Sequence, residues 1–226
     1  LIHDPLIWLA YVASVAPSLR LGTCILILPQ RNPLILAKEI ASLDYLSDGR
    51  VELGIGVGWL KEEFEALGVP WERRGARTDE YIHVLRALWG GTDVEFHGDF
   101  VDFEPVTCTP RPVQSRIPIL VGGDTPAAVR RAAKLADGYY PGTGDFAELQ
   151  KLISDVRQTA ESFERDPSEI EIHAHAVFRF LHFLTLIASG VVISRADSFL
   201  HAACLRVARV LRQGACADGL TTAQLS

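Results

Sequence analysis

Methionine is absent from all 226 residues, and cysteine is scarce. Cys24, Cys108, Cys204 and Cys216 stand far apart with no C-x-x-C pair. That scatter argues against a zinc site or a dithiol redox pair and suits a reducing compartment, so a cytoplasmic protein without a metal is expected. Positive charge is in deficit: 22 Lys and Arg against 28 Asp and Glu leave a formal charge of −6. With no basic stripe, nucleic acid is not an expected partner. The first residues show no secretory-signal pattern. The G-x-G-x-x-G fingerprint of dinucleotide-binding units is also missing. Charged residues are only 22% of the chain and apolar ones 48%, which argues against wholesale disorder and is enough for one substantial core. The opening Leu1-Ile2-His3-Asp4-Pro5 lacks an initiator and runs straight into a helix start, which reads as a piece of a longer protein.

Caps and turns divide the rest. Asp4-Pro5 and Asn32-Pro33 each pair an N-cap with a proline at the first helical position, predicting helices to about Ala16 and Leu46. Asp48-Gly49 stops the second. Strands are expected at 20–28 and 51–57, then short helical material at 60–67 and a longer helix near 75–89. Residues 93–104 alternate around His97-Gly98-Asp99 and predict a hairpin. Ile117–Val121 reads as a strand, Thr125-Pro126 as the cap of a helix to about Leu135, and Asp137–Tyr140 as a brief strand. A helix near 145–164 and extended chain at 169–178 follow. Short strands alternating with longer helices imply parallel strands joined by right-handed crossovers. Two architectures fit, a (β/α)8 barrel and an open doubly wound sheet.

Glycines mark two places. In Val51–Trp59, the residues Val51, Leu53, Ile55 and Val57 fall on one side of the strand and Glu52, Gly54, Gly56 and Gly58 on the other. Glycine in a strand marks a bulge or a close approach. The bare side is therefore either the seat of a flat cofactor or a tight core. Gly22 and Cys24 repeat the pattern weakly. Glu52 lies at the wrong end of its strand for catalysis and reads as buried structure or as surface. In Val121-Gly122-Gly123-Asp124-Thr125-Pro126, a strand ends and a capped helix begins, so unpaired N–H groups and the helix dipole favour an anion. An ordinary tight turn explains the glycines equally well. Asp124 opposes an anion, and Arg130 and Arg131 could offset it.

Beyond single motifs, the stretch from Asp4 to about Tyr140 resembles the luciferase-like monooxygenase superfamily, in its deazaflavin (coenzyme F420)-dependent branch. Its carriers include Arg20-Leu21-Gly22-Thr23, Leu28-Pro29-Gln30-Arg31-Asn32-Pro33, Ser47-Asp48-Gly49-Arg50, Leu53–Trp59, Phe96-His97-Gly98, Pro110-Arg111-Pro112-Val113-Gln114, Val121-Gly122-Gly123 and Ala136-Asp137-Gly138. The resemblance implies a (β/α)8 TIM barrel whose mouth holds F420 or, alternatively, FMN. It implies a strand bulge with a non-proline cis peptide at Cys24-Ile25 beneath the ring. It further implies that Gly56, Val57, Gly58 and Trp59 border the ring and its tail, and that Gly122, Gly123, Asp124 and Thr125 take the phosphate region. The reaction implied is hydride transfer or oxygen activation on a small organic substrate. No catalytic acid or base is named: His97 reads as solvated and His3 as a loop residue.

The chain departs from that pattern twice. The barrel's first two strands would precede residue 1, and residues 177–226 read as a divergent or out-of-frame tail after a luciferase-like domain at 1–176. An apolar run near 176–193 is barely long enough for a bilayer, and a membrane is not expected. Homodimer formation stays open. The alternatives to an oxidoreductase are an inactive relic or flavin-binding protein, and more weakly an NAD-binding Rossmann dehydrogenase, which needs strand order 3-2-1-4 around Gly54–Gly58.

Overall fold

The computed structural model describes residues 3–143 and 145–173. The tail at 177–226, the apolar run near 176–193, Cys204 and Cys216 lie outside the described residues. Six α-helices are described: α1 (Pro5–Val15), α2 (Pro33–Leu46), α3 (Lys61–Ala66), α4 (Arg74–Gly90), α5 (Pro126–Leu135) and α6 (Phe146–Ser162). The strands are β1 (Leu21–Gly22), β2 (Leu26–Ile27), β3 (Val51–Gly56), β4 (Val94–His97), β5 (Asp102–Val106), β6 (Ile119–Gly122), β7 (Gly138–Tyr140) and β8 (Glu171–Ile172).

The caps do what their residue types require. Asp4 Oδ1 accepts from the N–H groups of Leu6 and Ile7, at 2.9 and 3.2 Å. Asn32 Oδ1 does the same for Leu34 and Ile35. Thr125 caps α5 through the Ala128 N–H at 3.2 Å, and Asp145 caps α6 through the Glu148 N–H at 2.8 Å. Each satisfies donors that a helix start leaves without internal partners. At the end of α2, Asp48 and Gly49 both take positive φ, 56° and 74°, which turns the chain sharply into β3.

β1 and β2 both pair with β3, and the parallel path continues through β6, β7 and β8. With β1 and β2 taken as one interrupted strand, and apart from the antiparallel β4–β5 hairpin, each strand lies beside the next one in the chain. That walk is the barrel-type order. It corrects the Rossmann alternative, whose strand order must reverse at a switch point. Among the described residues the path is open between β1 and β8.

Two strand expectations change. The strand at 20–28 is interrupted at Thr23–Ile25, and β3 is buried on both faces rather than on one. Its core side meets α2, which buries Leu36, Ala37, Ile40 and Leu43, and α4, packed on α2, adds Ile82, Leu85 and Leu88 to the same core.

The amino ends of the strands are closed by polar fastenings. Arg50, just before β3, donates to the carbonyls of Ser47, Ala16, Leu19 and Ala13, and so ties the end of α1 to the start of the sheet. Asp44, fully buried, accepts from the Val113 and Gln114 N–H groups and from Gln114 Nε2. Asp137 joins Arg86, Arg116 and the first N–H of β6. Burial opposes its ionisation, but the Arg86, Ile119 and Arg116 hydrogen bonds hold its carboxyl below the ordinary range. Glu52 is buried and pairs with Arg20 at 2.5 Å, in keeping with a structural residue.

Candidate functional site

The sequence-derived residues gather at the carboxyl ends of the strands. Gly22 pairs with Glu52, and Leu26 with Ile55. Between these registers the first strand has three residues, Thr23–Ile25, where β3 has two, Leu53 and Gly54. The extra residue is a β-bulge, and it lifts the segment off the ladder. The Cys24–Ile25 peptide within it is cis.

The bulge explains the glycines and shows what fills the bare side. A Cβ at Gly54 would collide with the Thr23 carbonyl, and one at Gly56 with the Ile25 side chain. A Cβ at Gly122 would sit 2.7 Å from Ile25 Cγ2. Gly58, with φ 82°, is hemmed in by Ile27 and Phe64. The bare faces of β3 and β6 are filled from within by the bulge. Thr23 Oγ1 locks it by donating to the Gly54 carbonyl at 2.6 Å. What stays open to solvent is the outer side of Ile25, which spans Gly56 on β3 and Gly122 on β6 and is 37% exposed. Burial pushes the neighbouring Cys24 thiol up to about 11, so it is neutral near pH 7 and a poor nucleophile.

Beyond Gly56 the chain leaves the sheet. Trp59 is 82% exposed. Arg74, at the start of α4, donates Nε to the Gly58 carbonyl at 3.3 Å and lies 3.5 Å over the Trp71 ring. Trp71 meets Phe64 edge-on at 5.2 Å. Phe64, Trp71 and Arg74 were not expected at this rim; nothing in their local spacing shows that α4 returns to the end of β3.

At β6 the turn Gly122–Thr125 adjoins the same rim, because Ile25 touches Gly122. Gly123 takes φ 117°, where only glycine is comfortable, and a Cβ there would meet just the Ala128 Cβ at 3.4 Å. Its N–H donates to the Tyr140 carbonyl at 3.1 Å, so it is not one of the free donors the turn was expected to offer. Asp124 Oδ1 accepts from the Gly142 N–H at 2.6 Å.

The two arginines expected to offset Asp124 are elsewhere. Arg131 is buried in an ion pair with Asp79 and donates to the Gly75 carbonyl. Arg130 lies over the Phe163 ring at 4.8 Å. Both side chains leave the turn because α5 packs its arginine face on α4 and the end of α6.

His97 is exposed and pairs with Asp102 at 2.6 Å, a hydrogen bond that raises its pKa. His3 stacks on Trp8. The hairpin tip is bound down: Glu80 accepts from the N–H groups of Asp99, Phe100 and Val101, and Arg73 pairs with Asp99. No helix among the described residues is long and apolar enough to cross a membrane.

Residues 1–181 match the model of the luciferase-like monooxygenase family. The chain belongs to that family. Among curated proteins it is 44% identical over 164 residues to an uncharacterised Mycobacterium tuberculosis protein, covering 73% of this chain and 56% of that one. It is 30% identical over 190 residues to an FMNH2-dependent dimethylsulfone monooxygenase of Pseudomonas putida, covering 82% and 52%. Of solved structures, a monooxygenase from Streptomyces bottropensis superposes with a TM-score of 0.67 at 35% identity, over 76% of this chain and 53% of that one. The coenzyme F420-dependent tetrahydromethanopterin reductase of Methanopyrus kandleri gives 0.69 at 25% identity, over 77% and 54%. The chain thus spans about half the length of the relatives it matches. Relatives of both cofactor types share its TIM-barrel-type fold.

Proposed function

We propose that this chain contributes the cofactor seat of an oxidoreductase that uses coenzyme F420 or reduced FMN on a small organic substrate. The observation that carries the reading is the bulge. It sets an apolar, one-third exposed Ile25 across the ends of two adjacent parallel strands, beside a turn whose Gly123 takes a glycine-only φ of 117°. A flat ring needs an apolar plate on one side, and its charged tail needs backbone donors at a helix start. The residues present fit both needs, although the plate is Ile25 and not the glycines themselves.

In this reading Cys24, Ile25 and Gly56–Trp59 back and edge the ring. Gly122, Gly123 and Thr125 hold the anionic end, with the Asp124 and Thr125 N–H groups as donors in place of the engaged Gly123 N–H. Asp124 supports the turn through Gly142. The bound cofactor supplies the redox chemistry, hydride transfer from a deazaflavin or oxygen activation with reduced FMN. The protein's part is to orient the ring on Ile25, keep a neutral Cys24 thiol beside it and shield it from water with Trp59.

Titration of the full chain with reduced F420 and reduced FMN, followed by ring absorbance, tests the proposal. Saturable binding of either one is expected. Binding of NAD alone, with neither flavin type, overturns it.

A further inference from the structure

The turn expected to hold the cofactor's anionic end is fastened to β7. Tyr139 pairs with Val121 across the β6–β7 ladder, and its fully buried side chain reaches two residues further along to donate to the Gly123 carbonyl at 2.8 Å. Two residues of strand span about 6.6 Å, close to the reach of a tyrosine side chain. The next residue of β7, Tyr140, accepts the Gly123 N–H. Both polar groups of Gly123 are therefore fastened to consecutive residues of β7. A third tie, from the Gly142 N–H to Asp124 Oδ1, fixes the following residue.

Resting on the cofactor reading above, we infer that Tyr139 is a positioning residue for that turn. Its hydroxyl holds Gly123 in the glycine-only conformation that turns the next N–H groups, those of Asp124 and Thr125, toward a phosphate. Asp124, for its part, acts as a tether and not as a ligand residue. Burial raises the Tyr139 hydroxyl's pKa, and Asp124, Asp155 and Glu148 add to the shift, so it remains a donor across the ordinary pH range. A phenylalanine would fill the same buried space but leave the carbonyl unbound and the turn free to relax.

The test compares cofactors that carry a phosphate with the same rings lacking one: reduced FMN against reduced riboflavin, and F420 against its deazaflavin ring and polyol without the phosphate-bearing tail. In the full chain, Tyr139→Phe is expected to weaken the phosphate-bearing form about tenfold and leave the phosphate-free form unchanged. A merely structural role would weaken both equally, and that result overturns the inference, as does no change in either.

Asp124 provides a second variant should Tyr139→Phe not fold. Asp124→Asn keeps the acceptor and removes the charge, so phosphate-bearing binding holds or tightens; Asp124→Ala cuts the tether and weakens it. Tighter binding by Asp124→Ala overturns the tether. A wild-type chain that binds neither ring overturns the cofactor reading and this inference with it, whereas a wild type that binds while Tyr139→Phe shows no selective loss overturns the inference alone.

Discussion

The two ends of the sheet are built on opposite plans. At the amino ends, charged groups are paired to saturation: Asp44 with three donors, Arg50 with four carbonyls, Asp137 with two arginines and a backbone N–H. At the carboxyl ends the polar ties run mostly from single side chains to backbone groups, glycines crowd against a bulge, and large apolar side chains such as Ile25 and Trp59 stay in contact with solvent. Paired charge at one end ties the helices and strands together. Exposed apolar surface at the other is where the proposed cofactor would rest.

That contrast can be broken from either side. The largest effect is expected at the closed end. Asp44→Ala leaves the Val113 and Gln114 donors without their buried partner and should cost about 4 kcal/mol in denaturant unfolding. A loss under about 1 kcal/mol would mean the fastening is decorative. At the open end, Gly56→Ala pushes a Cβ into Ile25 and should cost about 2 kcal/mol. In an Ile25→Ala background most of that cost should vanish, so the double-mutant cycle should show coupling above about 1 kcal/mol. Additive losses would mean that the glycine serves something other than the bulge. The smallest effect concerns pH. Because the Asp137 carboxyl is held below its ordinary value, its contribution is present above about pH 4 and is lost as pH falls through the folded-state value. Asp137→Asn should flatten the acid limb of the stability curve by about 1 kcal/mol after solvent screening. An unchanged acid limb would show that Arg86 and Arg116 contribute no net pairing energy.

The local parts of this architecture were legible in the chain. Asp4-Pro5, Asn32-Pro33 and Thr125-Pro126 are caps whose meaning lies within four residues, and all three helices begin where those caps place them. The Asp48-Gly49 turn is equally local. The bulge was not legible from pattern, because Thr23-Cys24-Ile25 reads like any strand until its register against β3 is known; only the family resemblance pointed to it. The glycine face of β3 was singled out with a cofactor seat and a tight core both left open, since alternation shows which side is bare and not what fills it. Long-range partners escaped for the same reason. Nothing near Arg131 announces Asp79, and nothing near Tyr139 announces the Gly123 carbonyl.

The central claim is that Ile25, raised on the glycine-lined bulge, is the plate on which a flat redox ring rests. Equilibrium titration of the full chain and of Ile25→Asp with reduced F420 and reduced FMN tests it most directly, with circular dichroism to verify that the variant is folded. The account predicts that wild type binds at least one of the two and that folded Ile25→Asp loses that binding by about a hundredfold, the cost of setting a carboxylate against an apolar ring. Undiminished binding by folded Ile25→Asp would contradict it.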